Sequence, residues 1–408
     1  MSGRLSRVGL SGRKSAPSAA VTPPRPDGPL IWLHATSVER ASVLDDLATR
    51  LKSNLSETHV LITYDPETCA PPPKPGEGGN WLLPLGALPI AESRQFITHW
   101  APDLCLWAGA VLHPTLIRAA DEAGHHMILA DADSADFDSG RRGWFKDPIR
   151  QTLVRFDQIL TTGVPASSAL VRLGVSADRI ETTVPMRLGP TPTSFPEEDI
   201  TFLAEELAGR PSWLAAHIHP EEFGLILTAH RAALRLSHRM LLVIVLDDDR
   251  YQQDLLDLLE GMTLRYLVWQ LGDPIEDNTQ VLVVDDIEEL GLWYRTSPQT
   301  FLGHSLVPGE TGRSPLNASA LGSAVLHGPN VGEHTAAYAR LASAGAARLV
   351  SDGAQLGTEV AQLLAPDKAA AMALAGWEVV TEGAALTDRV LDLIQERLEA
   401  LRDHNASA

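Results

Sequence analysis

The chain has 408 residues, 44% of them apolar, which is enough to bury the cores of two or three domains and excludes a disordered protein. Lysine and arginine number 33 against 52 aspartates and glutamates, and the formal net charge of -19 disfavours bulk electrostatic binding to nucleic acid or to an anionic bilayer, so any anionic partner must be met by a local patch. The two cysteines, Cys69 and Cys105, exclude a disulfide framework and a C-x-x-C zinc site and fit a reducing, cytoplasmic setting.

In chain order, residues 1–28 form a basic arm: Arg4, Arg7, Arg13, Lys14 and Arg25 stand against the single acid Asp27, without the apolar segment of a signal peptide. The arm reads as a solvated, disordered terminus, with a weak tether to anionic lipid head groups as its functional alternative. No run reaches the ~20 apolar residues of a membrane span, so membrane contact would be peripheral.

From Pro29 onward, short apolar runs alternate with amphipathic patterns, the signature of an α/β fold with parallel sheets covered by helices. Strands are predicted over 30–34, 60–63, 104–107, 127–130 and 158–160. The helix after the first strand places Val43, Leu44, Leu47, Ala48 and Leu51 on one face. These elements make an N-terminal domain over 29–190, in which 65–80 is a Pro/Gly-rich exposed loop and His125 and His126 supply strand-edge polarity. The Pro-rich segment 188–196 reads as an interdomain linker.

The alternation restarts with strands predicted over 213–216, 241–246, 281–285, 301–303, 324–326 and 348–350, giving a second α/β domain over 191–380. Trp213, Trp269 and Trp293 fall in apolar runs and are assigned to the core. A C-terminal helix over 381–408 sets Leu386, Val390, Leu393, Ile394, Leu398 and Leu401 on one stripe that must pack against something. Two open-sheet domains on a short linker leave a cleft between the C-terminal edges of their sheets, an arrangement suited to a nucleotide-sugar transferase.

Two acidic or histidine-rich clusters invite a metal reading: His217, His219, Glu221 and Glu222, and the run Asp247-Asp248-Asp249. The first is read instead as a strand-to-helix turn whose His and Glu organise a loop or a ligand, the second as a solvated turn.

Five segments carry a family resemblance. GPLIWLHATSVER (28–40) is similar to G-P-L-I-W-x-H-A-x-S-V-G-E, and WAPDLCLWAGAVLHPTLI (100–117) to W-x-P-D-L-x-x-W-x-E-x-x-L-W-P-N-L-I. WLAAHIHPEE (213–222) is similar to W-L-A-A-S-T-H-P-G-E, and DDIEELGLWYR (285–295) to D-T-x-G-E-L-G-L-x-Y-R. FLGHSLVPGETGRSPLNASALGSAVLHGP (301–329) is similar to F-V-G-G-S-L, G-G-H-N-P-L-E-P-A and L-G-x-A-V-L-H-G-P in turn. In this order and spacing the chain resembles the transferases that move 3-deoxy-manno-octulosonic acid (Kdo) from CMP-Kdo onto the lipid A precursor in lipopolysaccharide biosynthesis.

The resemblance implies a GT-B architecture, two Rossmann-like domains facing a cleft. It also implies a nucleotide sugar as donor, a lipid A precursor or other anionic glycolipid as acceptor, no resident cofactor or metal, and a place at the cytoplasmic face of the inner membrane. Such a transfer needs a carboxylate to take the acceptor's proton and amides or cations to stabilise the departing phosphate. The resemblance carries substrate-binding roles onto Ser37, Arg187 (a lysine in the family), His219, Glu222, Gly303, Ser305, Gly312, Arg313, Ser314, Pro315 and Asn317.

The departures from the family pattern fall on the chemistry. Arg40 stands at the base position and cannot act as a base, which leaves Glu39, one residue earlier, as a displaced candidate. The family's W-x-E-x-x-L-W becomes Trp107, Gly109, Leu112 and His113, and its N-A-R becomes Asp131, Ala132, Asp133. Its P-R-H-P phosphate segment becomes Leu246, Asp247, Asp248, Asp249, while Thr311 to Pro315 replaces G-G-H-N-P with Arg313 expected to restore a phosphate contact. Asn317 replaces a glutamate and is expected to keep hydrogen bonds to the nucleotide sugar. Two functions are compatible with this pattern: a divergent active transferase, or a catalytically inactive paralogue that is a binding or regulatory partner in envelope biosynthesis. Either requires a crevice, expected to be bordered by Ser37, His219 and Gly312.

Overall fold

The structure, a computed structural model, describes residues 23–55, 57–69, 81–134, 146–191, 195–271, 273–284 and 286–407. Most of the arm, residues 70–80 of the 65–80 loop, part of the linker and Asp285 therefore lie outside the described residues.

The N-terminal lobe runs β1 (Leu30–Ala35), α1 (Val38–Asn54), β2 (His59–Tyr64), β3 (Trp81–Pro84), α2 (Ile90–Trp100), β4 (Leu104–Ala108), α3 (Pro114–Glu122), β5 (His126–Ala132), α4 (Lys146–Leu153), β6 (Gln158–Thr161), α5 (Val164–Arg172) and β7 (Ile180–Thr182). The C-terminal lobe follows with α6 (Glu197–Leu207), β8 (Ser212–Ile218), α7 (Phe223–Leu234), β9 (Leu241–Leu246), α8 (Gln252–Gly261), β10 (Tyr266–Trp269), β11 (Val281–Val284), α9 (Leu290–Thr296), β12 (Gln299–Leu302), α10 (Leu316–Ala320), β13 (Ala324–His327), α11 (Thr335–Ser343), β14 (Ala347–Leu349), α12 (Gly353–Gln362) and α13 (Pro366–Ser407).

Each lobe is one wholly parallel seven-stranded sheet, ordered β3-β2-β1-β4-β5-β6-β7 and β10-β11-β9-β8-β12-β13-β14. The predicted strands all form, because central strands buried on both faces read as unbroken apolar runs, as in LIWLHA and LLVIVL. The strands that the pattern does not reveal, β3, β7 and β10, are short; β3 and β10 close one edge of each sheet and β7 the other edge of the first.

Alternation along β1 explains the two-sided core. Ile31, Leu33 and Ala35 point to the α1 side, while Leu30 and Trp32 pack with Ile97, Trp100, Leu116 and Ile117 of α2 and α3. Trp213, Trp269 and Trp293 are all fully buried in the second lobe, as expected.

The C-terminal helix begins at Pro366, earlier than the predicted 381, and belongs to both lobes. Ala369 and Met372 join the second lobe's core, whereas Leu386, Val390, Ile394 and Leu398 pack into the first lobe's core beside Leu44, Leu47 and Leu51 of α1. Each such aliphatic side chain stabilises the joined state by about 1.5–3 kcal/mol. The last residues of the arm are also fixed: Arg25 donates from Nε to the Trp100 carbonyl at 2.8 Å, satisfying an orphan group at the end of α2.

In each sheet the chain order reverses beside the first strand, between β1 and β4 and between β8 and β12. Loops diverge at such switch points and leave a crevice at the C-terminal strand ends, which is where the residues of interest lie.

Candidate active site

On the N-terminal lobe, the β1–α1 turn opens with Ser37 as the N-cap of α1, its Oγ accepting from the Arg40 N–H at 3.2 Å. Glu39 is exposed in the first helical turn. Arg40 lies back against its own sheet: Nε donates to Asp131 Oδ2 at 2.8 Å and a terminal nitrogen reaches Thr36 Oγ1 at 3.4 Å. Asp131 sits at φ 57 where the β5 register shifts, and its second oxygen accepts from the Met186 N–H at 2.8 Å.

The glycine in the family's second glutamate position completes this exchange. Gly109 has φ +93, and a Cβ there would overlap Thr36 Oγ1 and come within 2.7 Å of the Arg40 guanidinium. The absence of a side chain at 109 thus leaves the space that the Arg40 guanidinium fills, and Asp131 neutralises it. Nearby, His113 Nε2 lies 2.9 Å from an Asp65 oxygen, and His34 bonds Thr63 Oγ1 at 2.8 Å with its ring 3.9 Å from that of Trp107. Burial, aided by His113, holds His34 well below the ordinary histidine range.

On the C-terminal lobe, Asp247 is not a solvated turn residue but the centre of an ion network. His217 Nδ1 lies 2.5 Å from Oδ1, while His304 Nε2 at 2.9 Å and Arg313 Nε at 3.0 Å share Oδ2. Burial pushes the Asp247 carboxyl up, but the hydrogen bonds and charges of His217 and Arg313 outweigh it and leave the group well below the usual carboxylate range. His217 and His304 have φ 55 and φ 60, so two non-glycine residues hold left-handed backbone to reach this point. Arg313, expected to face a phosphate, is occupied by Asp247. Asp248 caps the following turn and pairs with Arg250.

Glu222 is fully buried and accepts from the backbone N–H groups of His304 at 2.8 Å, Leu306 at 3.0 Å and His219 at 3.2 Å, so it fastens the β12 loop to the β8 loop. Burial raises its carboxyl, the three hydrogen bonds opposing. His219 caps the same turn by accepting from the Glu221 N–H at 3.2 Å. Both residues organise loops, and neither they nor His217 converge on a metal position; among the described residues there is no cluster of three or more His, Cys, Asp or Glu placed to hold a metal ion.

The glycine-rich region is tightly built. A Cβ at Gly303 would overlap the His217 carbonyl, and one at Gly312 would stand 2.9 Å from Ser305 Cβ. Ser305 Oγ accepts from the Gly328 N–H at 2.8 Å, and the Arg313 carbonyl accepts from the Tyr338 hydroxyl at 2.7 Å. Ser314 Oγ accepts from Leu316 N–H at 3.4 Å, and Pro315 is the residue before α10. Asn317 turns to the linker, its Oδ1 accepting from the Thr191 N–H at 2.7 Å, so it joins the lobe to the hinge.

Arg187 lies elsewhere in the crevice. A cavity of about 510 Å³ between the lobes is lined by Pro185 and Arg187 of the first, Arg340 and Ser343 of α11, and Val379 and Glu382 of α13. Ser37, His219 and Gly312, expected to border the crevice, do not line this cavity. Glu39 nevertheless acts electrostatically on Arg340, which sets the exposed turn of α1 opposite α11. The departures at 40, 109, 131 and 247 are legible in the motifs, whereas Arg340 and His304 carry no signal there, and the pairings emerge only where separate strands align.

Residues 6–189 match the sequence family described as 3-Deoxy-D-manno-octulosonic-acid transferase (kdotransferase). Over 399 residues the chain is 25% identical to the 3-deoxy-D-manno-octulosonic acid transferase of Haemophilus influenzae, covering 96% of this chain and 91% of that protein. It is 26% identical over 326 residues to a probable mitochondrial 3-deoxy-D-manno-octulosonic acid transferase of Arabidopsis thaliana, covering 76% of this chain and 70% of that one. A crystal structure of a C-terminal CMP-Kdo binding domain from Acinetobacter baumannii aligns with a TM-score of 0.42 at 21% identity, covering 45% of this chain and 98% of that domain. Over residues 6–189 the chain matches the model of that transferase family, and across nearly its whole length it is similar to transferases of that name.

Proposed function

We propose that the protein transfers Kdo from CMP-Kdo to a lipid A precursor or a related anionic glycolipid, with Glu39 as the general base. The observation that carries this reading is the position of Arg40. Its guanidinium is held by Asp131 and Thr36 against the first sheet, which leaves the exposed Glu39 carboxylate on the same helical turn, opposite the second lobe.

In the reaction, the acceptor hydroxyl oxygen bonds to the anomeric carbon while the bond from that carbon to the phosphate oxygen breaks, and its electron pair leaves with CMP. The hydroxyl proton passes to Glu39 and then to solvent. Holding two substrates in one crevice supplies the orientation that the step requires. The leaving phosphate competes with Asp247 for Arg313, because the two anions seek the same guanidinium. The glycolipid acceptor is met at the membrane surface, by peripheral contact at its cytoplasmic face; among the described residues no helix is long and apolar enough to cross a membrane.

The test is to incubate the full-length protein with freshly generated CMP-Kdo and the lipid A precursor, with Glu39→Ala and Arg40→Glu alongside. Native transfer that Glu39→Ala lowers by about 10²–10⁴-fold supports the reading. The inactive-paralogue reading is favoured by the ion network closed on Asp247, and it prevails if the native chain transfers nothing and Arg40→Glu gains transfer.

A further inference from the structure

The inter-lobe cavity brings together two arginines from opposite halves of the molecule. Arg187 stands at the end of the first lobe and Arg340 on α11 of the second, and both line the same space of about 510 Å³. Arg340 uses one N–H on the Val379 carbonyl at 3.0 Å. Among the described residues neither arginine has a carboxylate within 4.0 Å, although Glu39 and Glu382 act on Arg340 from further away. Burial and the neighbouring Arg187 both oppose the charge on Arg340. Two guanidiniums facing one cavity repel each other, and the arrangement gains most when an anion lies between them. The volume suits one sugar ring with its substituents.

We propose that this cavity is an oxyanion subsite in which Arg187 and Arg340 clamp a carboxylate or phosphate group of a bound sugar and so hold the two lobes closed beside Glu39. The proposal deepens the transfer reading above and rests on it for the identity of the sugars: the carboxylate of an acidic donor sugar or the phosphate of a glycolipid head group. Planar guanidiniums present paired donors to either group, which a lysine at these positions would not.

The experiment is calorimetric titration of the full-length protein with two probes, free Kdo for the carboxylate and N-acetylglucosamine 6-phosphate for the phosphate. Native protein is compared with Arg340→Gln, Arg187→Gln and Arg340→Lys, and thermal unfolding reports that each variant is folded. The native chain is expected to bind one probe at least tenfold more tightly than the other, which identifies the source of the oxyanion. Either glutamine variant is expected to lose about tenfold or more in affinity for it, with Arg340→Lys recovering part. Small-angle scattering is expected to show the native radius of gyration shrinking on saturation, and that of Arg340→Gln unchanged. If Arg340→Gln does not fold, Arg187→Gln on the other lobe carries the test alone.

The clamp is overturned if the native chain binds neither probe, or if the glutamine variants bind as the native chain does. The two readings fail separately. Arginine-dependent probe binding without Kdo transfer leaves the clamp and removes the transfer reading, whereas native transfer with unchanged probe affinity in Arg340→Gln removes the clamp alone.

Discussion

At the residue scale, charge reversals occur in compensated sets. Asp131 answers Arg40 across 91 positions of sequence, and Asp247 answers Arg313 across 66. If Asp247 occupies the position that a phosphate would take, Asp247→Asn releases Arg313 and two imidazoles and raises the affinity for CMP by about tenfold; an unchanged or weaker titration contradicts this. The same carboxylate sets an acid limb of stability. Its folded value lies below the unfolded one, so its contribution is complete above the ordinary carboxylate range and is lost as the pH falls through the depressed value. Asp247→Asn is therefore expected to flatten the acid side of an unfolding curve measured against pH. At the other lobe, Gly109→Ala puts a Cβ into left-handed backbone against Thr36 and Arg40, and is expected to lower stability by about 1–3 kcal/mol or more in denaturant unfolding. These departures were legible as substitutions in the motifs. Their compensation was not, because the partners meet only once separate strands are aligned.

At the scale of elements, central strands and α1 were readable because burial on both faces, or on one helical face, leaves a periodic apolar record. The edge strands escaped because four residues ending in a proline, or the triplet Ile-Glu-Thr, carry too short a pattern. The stripe on α13 announced a packing face without naming its partner, which is the first lobe's core. Ile394→Ala is accordingly expected to cost about 2–5 kcal/mol and to destabilise the N-terminal lobe, although residue 394 follows the second lobe in sequence; hydrogen exchange of β1 and α1 checks it. Between β8 and α7, the Trp213 indole N–H donates to His230 Nδ1 at 3.2 Å, and burial pushes that imidazole down to about 3. The unfolded chain binds this proton from the ordinary histidine value downward and the folded one does not. Stability therefore falls by up to about 1.4 kcal/mol per pH unit between about 6.5 and 3, a slope that His230→Gln is expected to remove.

For the whole molecule, alternation and a Pro-rich break foretold two open-sheet lobes, but the inter-lobe cavity is lined by Arg187 and Arg340 and not by Ser37, His219 or Gly312, which were expected to border the crevice. What holds the lobes together was not visible in the sequence: Asn317 on the Thr191 N–H, Arg50 on the Pro190 carbonyl at 3.0 Å, and one helix shared by two cores. We propose that the carboxylate at 39 takes the proton-accepting role that Arg40 cannot fill. The most direct measurement of that role is the single-turnover rate of Kdo transfer to the lipid A precursor by the native chain and by Glu39→Ala. Native turnover is expected, with a loss of about 10²-fold or more in that rate for Glu39→Ala at unchanged donor affinity. Equal rates for the two proteins, or none for the native one, would contradict it.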